Sequence, residues 1–144
     1  MSQAVFYQEE IQFSTRGHGW VTPLDERVAP IVARSAVKEG LVHLFNVGST
    51  AALTTIEYEP GLVEDLAEAL DRLIPPGGNY GHERAWRDGN AHSHLQASVL
   101  GPCISVPLRG GRLLLGTWQQ IVHVECDVRP RRRRVVVTVT GRKE

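Results

Sequence analysis

Residues 3–15 alternate apolar and polar positions, with Val5, Tyr7, Ile11 and Phe13 on one side. That period of two predicts an opening strand or hairpin arm. Arg16-Gly-His-Gly-Trp20 reads as a turn. Thr22-Pro23-Leu24-Asp25 carries helix-start signals: Thr22 as N-cap, Pro23 in the first helical position and an acid two residues on. The helix is expected to run to about Glu39, with Val28, Ile31, Val32 and Ser35 on one face. Gly40 would stop it, and Pro30 is its weak point. Leu41–Val47 predicts a strand, Gly48-Ser49-Thr50 a break, and Ala51–Tyr58 a second strand. Pro60-Gly61 opens a second helix with Leu62, Val63, Leu66, Leu70, Leu73 and Ile74 as its apolar stripe, ended by Pro75-Pro76.

A polar, glycine-bracketed loop follows. Asn90–Leu100 then predicts a short helix closed by Gly101-Pro102. The last third reads as β: Ile104–Leu108, a hairpin turn at Arg109-Gly110-Gly111 and a return at Leu113–Leu115. Trp118–Asp127 is a long strand, with Val135–Thr140 as its expected antiparallel partner across Val128-Arg-Pro-Arg131. Strands in both halves with two main helices between them predict a single compact α+β domain over residues 1–144, with a mostly antiparallel sheet.

Composition narrows the classes. A chain of 144 residues buries a core without staples, and 42% hydrophobic with 22% charged residues is ordinary for a globular domain. Sixteen basic residues balance sixteen acidic ones, so charge argues for neither a nucleic-acid nor a membrane partner. The one strong basic run, Arg129-Pro-Arg-Arg-Arg-Arg134, has no aromatic residues between its arginines. Its alternate arginines are expected to face opposite sides, some pairing with acids across a subunit boundary. Cys103 and Cys126 make no disulfide framework; both are expected to be small buried hydrophobes in a reducing cytosol. The N-terminal residues lack the basic and apolar regions of a signal peptide, and no apolar run approaches the roughly 20 residues of a membrane span. A cytoplasmic protein is the expectation.

The chemistry concentrates in Asn79-Tyr-Gly-His82-Glu-Arg-Ala-Trp86-Arg-Asp88-Gly-Asn90-Ala-His92-Ser-His94, which holds three of the six histidines. On a strand His92 and His94 would share a face; on a helix they diverge by roughly 200°. With extended or irregular backbone, and His82 folded back across Gly81 and Gly89, three neutral imidazoles with an open fourth position suit zinc or another borderline divalent ion. Asp88 would then orient a ligand imidazole. The competing reading is a hydrogen-bonded structural loop.

Along Trp118–Asp127, Gln119, Ile121, His123, Glu125 and Asp127 face one way, as a site wall, a subunit contact or a solvated sheet face would. Gln120, Val122, Val124 and Cys126 form a core face. Glu57 and Glu59 serve either as acid–base groups or as charges at an exposed strand end. The backbones of Gly48-Ser49-Thr50 and Gly77-Gly78-Asn79 can present N–H groups to a phosphate, but neither fits a P-loop or dinucleotide fingerprint. No Gly-x-Ser-x-Gly elbow is present, and neither cysteine has a neighbouring histidine.

Gly48-Ser-Thr-Ala-Ala-Leu-Thr-Thr-Ile-Glu57, His82 with Asp88-Gly-Asn-Ala-His92-Ser-His94, Gly116-Thr-Trp-Gln119, and Glu125-Cys-Asp127 followed by Pro130-Arg-x-Arg occur in this order. Together they resemble the YjbQ family, also called the UPF0047 or secondary thiamine-phosphate synthase family, over nearly the whole chain. The resemblance implies a compact α+β fold assembled as a homotrimer with clefts between subunits. It implies a divalent metal, zinc or magnesium, at His82, His92 and His94. It also implies a thiamine-phosphate synthase-like activity on a small phosphorylated metabolite: a pyrimidine methyl diphosphate joins a thiazole phosphate with loss of pyrophosphate. Glu57, Asp88, Asn90, Gln119 and Glu125 are then expected to line the site, with Ser49, Thr50 and Arg84 on phosphate. Many members carry a His-Thr-Thr pattern where this chain has Gly48-Ser-Thr, so any role of that histidine is absent here. The (β/α)8 barrel of the main thiamine-phosphate synthases needs about 250 residues. This chain would have to run the reaction at an unrelated site, or bind a metabolite without turning it over.

Overall fold

The structure, a computed structural model, describes residues 3–144. Its strands form two antiparallel sheets. The larger contains β1 (Val5–Ser14), β8 (Arg132–Arg142), β3 (Glu39–Asn46), β5 (Cys103–Arg109) and β6 (Arg112–Leu113), in that spatial order. The smaller is β2 (Val21–Pro23), β7 (Gln120–Glu125) and β4 (Ala51–Ile56). Helices α1 (Asp25–Ser35), α2 (Pro60–Leu73), α3 (Gly81–Trp86) and α4 (Ala91–Leu100) complete the domain. The architecture is α+β, as the strand and helix patterns predict.

Two cores share the small sheet. Inward side chains of the large sheet, among them Val42, Leu44, Val106, Val135 and Val137, pack with α1 and with Leu53 and Ile121. On the other side of the small sheet, Val122, Val124 and Cys126 pack against Leu70 of α2 and Ala97 of α4. Strand β7 is therefore buried on both faces, and its polar positions His123 and Glu125, with Asp127 just beyond its end, are fully enclosed. A solvated face for those residues is ruled out. They form an internal polar layer, and buried charge in such a layer must be paired and hydrogen-bonded.

Several elements depart from the expected pattern. Thr22 and Pro23 do not cap the first helix. They pair with His123 and Val122 as edge strand β2, and Leu24 is the N-cap. A three-residue edge strand tolerates proline because its outer N–H has no ladder partner. Helix α1 ends at Ser35 and not near Glu39: Ala36 takes the left-handed conformation at φ 60°, and Glu39 and Gly40 already belong to β3. Pro30 stays inside the helix on its exposed side. Leu73 lies off the buried stripe of α2, 74% exposed. The return strand is only Arg112–Leu113, in the register Leu108↔Leu113. Its two-residue turn, Gly110-Gly111 with φ 59° and 75°, suits a tight hairpin.

The largest correction concerns β7 and β8. They are not partners: β7 sits between β2 and β4, and β8 between β1 and β3. The loop between them crosses from one sheet to the other. What joins the two strands is the ion pair between Arg133 and Glu125, not a ladder of backbone bonds. A short loop between two apolar strands cannot distinguish a hairpin from a step between layers.

Candidate functional site

Helix α4 divides the two histidines at its start. Glu83, from α3, accepts the N–H groups of Gly89 and Ala91, each at 2.8 Å, and so fixes the first turn of α4. From that turn His92 points inward and is buried, its ring centroid 5.2 Å from that of His18. His94 lies on another face, with its ring 4.8 Å from that of His82. The helical 100° per residue separates the pair.

His18 is firmly held. It sits between Gly17 and Gly19, both at positive φ. Its Nδ1 donates to the Cys126 carbonyl at 3.1 Å, and its Nε2 faces Asp71 Oδ1 of α2 at 2.7 Å. Both partners are acceptors, so each ring nitrogen of His18 faces an oxygen that fixes the orientation of the ring. Gln96 of α4 donates to the same Asp71 oxygen at 2.9 Å and to the Ile74 carbonyl at 3.0 Å. His92 has no ring hydrogen bond to a described residue. Burial lowers its pKa, the His18 charge adds to that, and the opposing acids Asp71, Glu83 and Asp127 do not cancel the effect.

His82 Nε2 lies 3.2 Å from Asp88 Oδ1. The Asn90 amide fits when its nitrogen faces both groups, donating to His82 Nε2 at 3.0 Å and to Asp88 Oδ1 at 2.8 Å. That orientation leaves His82 Nε2 as an acceptor.

The second polar group surrounds the turn between β3 and β4. Arg133 Nε donates to Glu125 Oε1 at 2.8 Å, and its Nη2 reaches Glu125 Oε2 and the Thr50 hydroxyl, the latter at 2.9 Å. Thr15 also donates to Glu125, at 2.6 Å. Asp127 accepts from the Thr50 hydroxyl at 2.9 Å and from Arg131 Nε at 2.8 Å. Burial alone would raise the Asp127 carboxyl, but these contacts together hold it below its ordinary pKa. The two groups meet at Cys126-Asp127, where the Cys126 carbonyl binds His18 and the Asp127 carboxylate binds Thr50.

A model of the family described as UPF0047 protein YjbQ-like matches residues 9–142. The chain belongs to the YjbQ/UPF0047 family. It is 45% identical over 100 residues to a UPF0047 protein of Archaeoglobus fulgidus, covering 69% of this chain and 77% of the relative. It is 34% identical over 136 residues to a UPF0047 protein of Methanothermobacter thermautotrophicus, covering 94% and 93%. A solved structure of a YbjQ-like protein of unknown function from Sulfolobus solfataricus superposes with a TM-score of 0.89 at 31% identity, over 96% of this chain and 99% of that one.

In this YjbQ-family chain the expected site residues separate. His82, Asp88, Asn90 and His94 come together; His92 joins His18 and Asp71; Thr50 joins Glu125. Glu57 and Gln119 do neither. They lie at the far end of β4 and β7, about 20 Å along the strand from Thr50 and Glu125. There Gln119 donates to Thr55 at 3.1 Å and lines a cavity of about 350 Å³ with Asp25, Glu26 and Tyr58. Glu59 caps α2, accepting from Gly61 and Leu62 at 2.9 and 2.8 Å. Arg84 is exposed on α3 and bonded to Asn79 at 3.2 Å.

The basic run pairs within the chain, Arg131 with Asp127, Arg133 with Glu125 and Arg134 with Glu10. Cys103 is exposed; only Cys126 is buried. The sequence reading missed His18, Asp71 and Asn46. The glycines flanking His18 were its one local signal.

The three expected metal ligands do not converge. Among the described residues no group of three His, Cys, Asp or Glu side chains is arranged to hold a metal ion. No helix among them is long and apolar enough to cross a membrane.

Proposed function

We propose that this protein is a histidine-dependent enzyme acting on a small phosphorylated metabolite beside the N-terminal half of α4. The observation that carries the reading is His92. It is buried, both ring nitrogens are uncommitted, and it stands next to a second imidazole that Cys126 and Asp71 hold in place. An uncommitted buried imidazole can take a proton from a ligand group, while the clamped His18 stays fixed as a donor. Asp71 and Gln96 position His18; Asn90 and Asp88 position His82. The specific reaction we assign for test is thiamine-phosphate synthase-like. The bond from the pyrimidine methylene carbon to the diphosphate oxygen breaks as that carbon bonds to the thiazole nitrogen.

A divalent ion belongs to this reading only with help from outside the single chain. His82, His94 and Asp88 supply donors on one side, zinc being the better match to imidazole and magnesium to oxygen. Such an ion would neutralise charge on a departing diphosphate. A homotrimer would supply the missing donors. Exposed Leu41, Phe45 and Val47, 47%, 42% and 39% exposed on and beside the outer face of β3, support association there.

A second reading, a trimer that binds a metabolite without turnover, is favoured by Gly48, where the resemblance to the YjbQ family implies a histidine in many members. Pyrophosphate release from the two substrates by untagged protein, alongside metal content per chain, separates the two. Turnover of roughly 1 to 1,000 per second supports the enzyme. Binding with no release under either metal supports the second reading.

A further inference from the structure

We infer that the turn Gly48–Thr50 and the Arg133 guanidinium form a receptor for one phosphoryl group. The ligand would be a phosphate monoester whose compact body lies in the adjoining groove. This rests on the proposed action on a phosphorylated metabolite and says where its phosphate sits.

Arg133 leaves part of its guanidinium unused. The residue is only 6% exposed. Its Nε and Nη2 are spent on Glu125 and Thr50. Nη1 has no hydrogen bond to any described residue. Nη1 is not among the buried unpartnered atoms, so its two protons face outward and are open to an acceptor that enters from the turn.

Nη1 points at the turn. A Cβ built on Gly48 would lie 3.0 Å from it. Gly48 has φ 150°, a conformation other residues rarely adopt, so glycine both permits the turn and leaves the approach to Nη1 open. The backbone N–H groups of Gly48, Ser49 and Thr50 make no hydrogen bond within the described residues. Their carbonyl side, in contrast, is tied down: Asn46 Nδ2 donates to the Gly48 carbonyl at 3.1 Å and to the Ala51 carbonyl at 3.4 Å. Successive free N–H groups beside an arginine form the concave donor array that binds oxyanions. Ser49 is exposed and adds a hydroxyl at the rim.

The groove beside the turn decides the ligand class. It is a cavity of about 210 Å³, lined by Gly48, Ser49, Ala51, Ala97, Ser98 and Pro102. Small side chains there, two of them serines, leave room for a flat ring and offer no second cation, so a monoester fits better than a diphosphate. Glu125 is a positioning residue, because it aims Arg133 without reaching the ligand.

Phenyl phosphate and inorganic phosphate are the probes, titrated by calorimetry against the wild-type chain and three variants: Ser49→Glu, Gly48→Ala and Arg84→Ala. Circular dichroism and thermal melting confirm folding in each. Phenyl phosphate is expected to bind more tightly than inorganic phosphate. Ser49→Glu, which folds because Ser49 is exposed, should weaken it about tenfold or more, and so should Gly48→Ala. Arg84→Ala should bind as the wild type does. Equal binding by Ser49→Glu and the wild type overturns the receptor. Loss in Arg84→Ala alone moves the phosphate to α3 and overturns this inference, while action on a phosphorylated metabolite still holds. No binding of either probe by the wild type, with pyrophosphate still released in the activity assay, overturns the receptor and keeps the enzyme.

Discussion

His123 and Asn46 are hydrogen-bonded at 2.9 Å in the middle of the protein, and through that contact the interior sets the shape of the turn at residues 48–50. Asn46 Oδ1 accepts, so the proton sits on His123 Nε2. The Asn46 amide nitrogen is then free to hold the Gly48 and Ala51 carbonyls. His123 Nδ1 has no partner. A charged ring there would carry an unmatched proton into the core.

Burial lowers the His123 pKa from 6.5 to about 4. The unfolded chain therefore binds a proton that the folded chain refuses between those values. The stabilisation is fully present above pH 6.5, falls as pH drops toward 4, and is level below that. The span corresponds to about 3 kcal/mol at most. His92, also lowered, acts in the same direction. Urea unfolding from pH 8 to 4 should show stability falling on the acid side, with a shallower fall in His123→Asn. A rise in stability from pH 7 to 5 would contradict this.

Removing one half of the enclosed pair between Glu125 and Arg133 leaves a buried charge unmatched. Glu125→Gln is expected to lose about 3–5 kcal/mol. Replacing both residues with apolar ones, Glu125→Leu with Arg133→Met, should recover much of that stability. Denaturant midpoints at constant slope measure both changes.

Glu83 closes the start of α4 through two backbone N–H groups. Glu83→Ala should cost about 1 kcal/mol, like the loss of a helix cap. Faster amide exchange should be confined to the first turn of α4, where His92 sits. Uniform loss of protection across the chain would place the role of Glu83 elsewhere.

The two thiols should behave differently. Cys103 is exposed, whereas burial pushes the Cys126 thiol up to about 12. A thiol reagent at neutral pH should label Cys103 in the native chain and reach Cys126 only on unfolding.

Several regular elements were legible in the sequence because each has a local cause, whereas β2 and α3 were not. Alternation marks β1, the apolar stripe marks α2, and paired glycines mark the β5–β6 turn. The placement of β7 and β8 in different sheets was not legible, because register and layer are decided by contacts far apart in the chain. The histidine segment was legible as chemistry but not as geometry. Only the helical backbone of α4 shows that His92 and His94 part, and that His92 meets His18 from a loop more than seventy residues earlier. Arg133 was visible only as one of a run. Its burial follows from sharing a face with Val135 and Val137, while Arg132 and Arg134 face solvent.

The measurement that bears most directly on the central claim compares pyrophosphate release by the wild type and by His92→Ala, each supplied with pyrimidine methyl diphosphate, thiazole phosphate, and zinc or magnesium. The account predicts measurable release by the wild type and a fall of about 100-fold or more in a variant that remains folded. Equal rates in the two proteins would remove His92, and the histidine chemistry built on it, from the function of this chain.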